Sequence, residues 1–155
     1  MVKYTYIIDR YVDYYGVACF FEARQLRSLT DKKILILGVV DEIDEDFSYS
    51  CNSIDDALKL ISSKKKINIH IKINTGMNRY GFSSIKELRT ALKLIKKSKL
   101  NIEGIYTHFA TDDKYVNIQM KKFQKYLKIL TKYKIIIWKM LLKNALLKQM
   151  KIFVM

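Results

Sequence analysis

The residues most able to do chemistry lie in one stretch, "IHIKINTGMNRYGF", Ile69 to Phe82. It begins as alternating apolar and polar residues, which places Lys72 within a strand. Thr75-Gly76-Met77-Asn78 then marks a turn, and Arg79 follows seven residues after the lysine. A guanidinium fixed at a strand end after a glycine turn presents a planar fork of donors to an anion. A strand lysine facing inward needs a neutralising anion, because an unpaired buried ammonium is costly. The expected chemistry is anion binding. Gly76 and Gly81 permit the turn, and Thr75 and Asn78 are placed to cap it. His108, at the end of "IEGIYTH", is a second strand-end group. His70 shares the face of Lys72 and is expected to be structural, and Cys19 and Cys51 to be inert small hydrophobes.

The elements that must position these groups alternate along the chain. Tyr14 to Phe20 and Lys33 to Val40 read as strands, the second aliphatic enough to be covered on both faces. Phe21 to Leu29 reads as a helix between them. A short strand is expected at Phe47 to Ser50, and Asn52 or Ser53 then caps a helix with Ile54, Ala57, Leu58 and Ile61 on one stripe. Ile67 to Ile73 is a strand, Ser84 to Lys97 a helix, Ile102 to His108 a strand and Val116 to Leu130 a helix. Leu88-Leu92-Ile95 and Phe123-Leu127-Leu130 form the apolar stripes of the last two helices.

Strands alternating with helices imply parallel βαβ units, and reactive strand ends imply the C-terminal mouth of a (β/α) barrel. No G-x-G-x-x-G turn is present to favour a dinucleotide fold. The expected class is α/β: a partial TIM barrel of parallel strands over residues 1–131, then a basic amphipathic tail over 132–155 with a helix from Trp138 to Met150. One connection is short. About six residues separate Val40 from Phe47, where a parallel crossover takes a dozen or more. Either a helix is missing there, or Phe47 to Ser50 is not a barrel strand.

With 155 residues, 50% of them hydrophobic, the chain suits one domain with a real core. Its net charge of +14 is uneven: eleven lysines and no acid lie between Lys114 and Met155, leaving +3 on the first 113 residues. That distribution argues against a uniformly basic nucleic-acid binder. Proline is absent, where ordinary usage gives roughly eight, so the composition itself is biased. No apolar run of about 18 residues and no secretory leader are seen, so a cytoplasmic protein without a membrane span is expected.

"IHIKINTGMNRYGF" resembles the signature of alanine racemases, and "YYGVACFFEARQLR", "KILILG" and "IEGIYTHFATDD" agree in order and spacing. The resemblance spans about Tyr11 to Leu130. It implies a pyridoxal 5′-phosphate enzyme with a TIM-barrel N-terminal domain, homodimeric, interconverting L- and D-alanine for cell-wall precursors. It further implies that Arg79 meets the phenolic oxygen of the cofactor and the substrate carboxylate. Lys72 would be carbamylated to orient that arginine, and His108 would support the cofactor ring.

The same resemblance calls for an early "KADAYGHG"-like strand with the Schiff-base lysine. "MVKYTYIID" is no match, and Lys3 does not take that role. No position matches the tyrosine base of the family's β-domain, its Asn-Ser phosphate turn or the arginine at the pyridine nitrogen. The expectation is an inactive fragment whose last residues replace the family's continuation, as a frameshift or truncation would produce. Two alternatives are a non-catalytic barrel fragment and a racemase for serine or another small amino acid. A third is a basic tail that binds nucleic acid or a membrane surface.

Overall fold

The computed structural model describes residues 2–110, 115–132, 138–142 and 152–154. Five parallel strands pair in chain order: β1 (Tyr14–Val17), β2 (Lys33–Ile36), β3 (Ser48–Cys51), β4 (Asn68–Ile73) and β5 (Asn101–His108). Helix α1 (Val2–Ile8) precedes them, and α2 (Phe20–Arg27), α3 (Ile54–Ser62), α4 (Ile85–Ile95) and α5 (Tyr115–Lys132) lie between or after them. Helix α3 starts where Ser53 Oγ accepts the Asp56 amide, and α4 where Ser84 Oγ accepts those of Lys86 and Glu87. Asp55 and Asp56 add negative charge to the first turn of α3, favourable against the helix dipole. The buried stripes of these helices, among them Leu60, Leu88, Leu92 and Phe123, pack on Val17, Ile34, Ile36, Ile71 and Ile105 from one face of the sheet.

The opposite face is concave. In a flat sheet, β1 and β5 would stand four strand spacings apart, roughly 19 Å. Yet the Tyr14 hydroxyl of β1 donates to Glu103 Oε2 of β5, and Lys33 of β2 pairs with Glu103 Oε1. Those contacts are possible only because the sheet curls into a half-barrel with its helices outside. Ser48 of β3 reaches the same carboxylate at 3.4 Å, and His70 Nε2 of β4 lies 3.7 Å from it. Each of the five strands thus sends one polar side chain to a single layer across the barrel floor.

Between β2 and β3, residues 37–47 contain no helix, yet the two strands are parallel, with Leu35 opposite Ser48. Phe47 to Ser50 therefore falls on a true barrel strand, and the helix is what this connection lacks. Asp44 N donates to Tyr49 Oη at 2.8 Å, and Lys65 Nζ to the Ile43 carbonyl at 2.8 Å, holding the long link against the barrel.

Short strands β6 (Trp138–Leu142) and β7 (Ile152–Val154) extend the two edges, giving the order β6-β5-β4-β3-β2-β1-β7. This corrects the expected helix from Trp138 to Met150: its first five residues pair with Gly104 to His108, and residues 143–150 lie outside the described set. An open sheet edge offers unsatisfied backbone groups, and pairing with them outweighs a helical spacing of apolar residues.

Glu103 is the charged centre of the floor. Burial alone raises the pKa of its carboxyl group, but His70, Lys33 and Tyr14 outweigh that and hold it at about 2. At 3.7 Å His70 is beyond hydrogen-bond reach, and both its ring nitrogens lack a hydrogen-bond partner among the described residues. Lys33 and Tyr14 therefore carry most of the effect. Because the folded value lies below the unfolded one, the stabilisation is complete above about pH 5 and fades as the pH falls toward 2. Glu103→Gln is expected to cost roughly 2–3 kcal/mol at pH 7, with the gap to wild type at least halved at pH 3, measured by urea unfolding.

Candidate active site

At the other end of the strands, β4 runs into a loop that folds back on itself. Phe82 N donates to the Lys72 carbonyl at 2.9 Å, and Asn74 N to the Phe82 carbonyl at 3.1 Å. Asn74 organises the turn: its Oδ1 accepts the amides of Gly76 and Asn78, each at 3.1 Å, and its Nδ2 donates to Asn78 Oδ1 and Ser83 Oγ. Thr75, expected to cap the turn, instead bonds Thr107 of β5 at 2.8 Å and ties the loop to the next strand. Gly81 sits at φ +109, and a Cβ there would meet Asn74 N and Lys72 O at 2.9 Å. No other residue type fits without moving backbone.

Lys72 points into the barrel, as expected. Its side chain is buried, and Nζ lies 5.2 Å from the Tyr80 ring centroid and 5.6 Å from that of Tyr106. None of the hydrogen bonds or ion pairs among the described residues gives it an acidic partner. Burial, then the nearby charge of Arg79, lowers its amine to about 8. Arg79 itself is exposed at the rim, close enough to act on both Lys72 and Tyr106. His108 is half-buried on β5 two residues beyond Tyr106, and so on the same face. The three expected residues come from β4, its following loop and β5, and share one end of the concave face.

The sequence reading missed Tyr106. Its phenol is fully enclosed and bonds Ser50 Oγ at 2.6 Å; Ser50 donates to Asn52 Oδ1 at 3.0 Å, and Asn52 Nδ2 to Asp56 Oδ2 at 2.9 Å. Burial pushes the phenol up, so it stays neutral and offers Lys72 a ring face rather than a charge. Its two-residue spacing from His108 was the available signal.

Elsewhere the surface is less specific. A cavity of about 430 Å³ opens beside the start of β2 and β3, where Arg27, Lys32 and Lys33 face Asp31, Glu45 and Asp46 in balanced charge. Among the described residues no group of three or more His, Cys, Asp or Glu could hold a metal ion, and no helix is long and apolar enough to cross a membrane.

A family model described as "Alanine racemase, N-terminal domain" matches residues 2–142. The chain belongs to the alanine racemase family. The alanine racemase of Streptococcus pyogenes serotype M5 (strain Manfredo) is 36% identical, over 74% of this chain and 35% of that protein. That of Helicobacter pylori (strain HPAG1) is 36% identical, over 79% of this chain and 37% of its own. The solved alanine racemase of Clostridium difficile 630 superposes with a TM-score of 0.80 at 23% identity, covering 99% of this chain and 49% of that one, which establishes the barrel fold. The chain spans about a third of the length of the curated relatives it matches.

Proposed function

We propose that Lys72, Arg79 and His108 form the cofactor and carboxylate corner of an alanine racemase centre, and that these 155 residues alone do not turn over alanine. The observation that carries this is charge. Two cations, Lys72 and Arg79, share a mouth walled by Tyr80 and Tyr106, and no carboxylate among the described residues pairs with the lysine. Such a corner seeks a flat anion, and pyridoxal 5′-phosphate is one, so the residues present fit the ring and phenolic-oxygen side of that group.

Bound there, pyridoxal phosphate supplies an electron-poor ring that disperses negative charge when a Cα proton leaves. The chain's own contribution is positioning. Arg79, anchored by the closed loop from Asn74 to Phe82, offers its fork to the phenolic oxygen and the alanine carboxylate. Lys72, once carbamylated by carbon dioxide, turns from a cation into the anion that fixes the guanidinium. Its lowered pKa leaves part of the amine neutral and able to react. His108 holds the ring's polar edge from β5.

No residue is assigned the two proton transfers, because no position matches the lysine and tyrosine bases. The expected result is no D-alanine above background when the purified chain is incubated with cofactor and L-alanine, read by D-amino-acid oxidase. Sustained D-alanine production abolished by Arg79→Ala would refute the inactivity and keep the site. The cytoplasmic supply of D-alanine to cell-wall precursors is the role this family reading assigns to a complete centre.

A further inference from the structure

We propose that Tyr106 is a positioning residue: clamped by a hydrogen-bond chain from the first turn of α3, its ring fixes where the Lys72 side chain sits and, through it, Arg79. This rests on the reading of Lys72 and Arg79 as the cofactor and carboxylate corner, and adds the residues that hold them in place. The direction of the chain carries it. Asp56 Oδ2 accepts from the backbone amide and from Nδ2 of Asn52, each at 2.9 Å, and the same Nδ2 donates to the Ser50 carbonyl at 3.2 Å. A carboxylate and a carbonyl only accept, so the Asn52 side-chain oxygen is the atom turned to the Ser50 hydroxyl, which donates to it at 3.0 Å. A hydroxyl has one hydrogen. The 2.6 Å bond between Ser50 and Tyr106 therefore runs from the phenol to the serine. Tyr106, Ser50 and Asn52 are all buried, so reversing any bond in the series would leave a buried polar group unpaired.

The sheet register sets this bond against the lysine. Tyr106 of β5 stands level with Lys72, and Ser50 of β3 level with His70, so the bond crosses the inner face of β4 between Lys72 and His70. Lys72 Nζ then lies between two rings, 5.6 Å from the Tyr106 centroid and 5.2 Å from that of Tyr80. Tyr80 is 41% exposed on the loop, whereas Tyr106 is fully enclosed and tethered, so Tyr106 is the fixed wall. A lysine stem is long and flexible, and a wall that limits its rotamers in advance lowers the ordering cost of binding. The wall sets the place of the nitrogen in the free amine and in the carbamate alike. The hydrogen of the phenol is committed to Ser50, which leaves the oxygens of a bound anion to Arg79.

The test is equilibrium dialysis of pyridoxal 5′-phosphate against the wild-type chain, Tyr106→Phe and Ser50→Ala, each variant alone and combined with Lys72→Met, beside a urea titration of every preparation. The two variants cut the same bond from opposite ends. Each is expected to weaken binding about 3–10-fold, the size of one hydrogen bond of ordinary net strength. Neither should weaken Lys72→Met further, because the effect passes through the lysine. An unfolding midpoint that drops while affinity holds would make Tyr106 a core residue only and overturn the proposal. Losses that simply add to that of Lys72→Met would overturn it too. Tyr106→Phe keeps the ring, so the test stands even where Ser50→Ala does not fold. Wild-type binding indifferent to Arg79→Ala would instead refute the corner reading, and the proposal with it.

Discussion

Gly81→Ala is expected to destabilise the protein by about 2–4 kcal/mol, the largest effect of any single methyl addition in the loop that carries Arg79. Two causes combine. The backbone at φ +109 is strained for any residue with a Cβ, and that Cβ would press on Asn74 N, Lys72 O and Ile73 C at 2.9–3.0 Å. All three are backbone atoms of the strand end, so relief requires moving the loop off β4. The bonds from Phe82 to Lys72 and from Asn74 to Phe82 would open, and Arg79 would lose its fixed place. Gly76→Ala makes the natural comparison. Its nearest neighbour is the Gln119 side-chain amide at 2.7 Å, and its φ of +155 borders on ordinary extended backbone. A rotating glutamine can yield, so the cost should be about 1 kcal/mol or less. Urea unfolding of both variants checks the order.

Arg79→Ala is expected to weaken pyridoxal 5′-phosphate binding by about 10–100-fold, the loss of one charge-assisted, two-pronged contact of about 1.5–3 kcal/mol. Arg79→Lys should recover part of that, since it restores the charge but not the planar fork. The guanidinium is exposed at the rim, so neither variant should shift the unfolding midpoint appreciably. That separation distinguishes a binding residue from a structural one. Equilibrium dialysis beside a urea titration on the same preparations reads both quantities.

The alternation of elements was legible because each carries a strong period: Leu88, Leu92 and Ile95 at helical spacing on α4, and Ile69, Ile71 and Ile73 at period two on β4. The same period put Lys72 on the inner face and paired it with His70. Glu103 was not legible. Counting back in twos from His108 reaches Gly104 and assigns Glu103 to the outer face. An irregularity in the pairing, where Ile69 faces Ile102 but His70 faces Gly104, leaves Glu103 as the extra residue and lets it turn inward. Nothing in "NIEGIYTH" announces such a bulge. The five-strand floor was hidden for a related reason. Tyr14, Lys33, Ser48, His70 and Glu103 lie as far as 89 positions apart in the chain and meet only through the curl of the sheet. The strand at Trp138 to Leu142 went the other way: its local pattern suited a helix, and pairing to the edge of β5 overrode it.

The proposed centre requires that the end of the concave face holding Lys72 and Arg79 receive a flat anion. Titration of the wild-type chain with pyridoxal 5′-phosphate, followed by equilibrium dialysis against pyridoxal under the same conditions, tests it most directly. One saturable site per chain is expected for the phosphorylated compound, at least tenfold weaker in Arg79→Ala. Equal binding of both compounds, or affinity indifferent to Arg79, would contradict it.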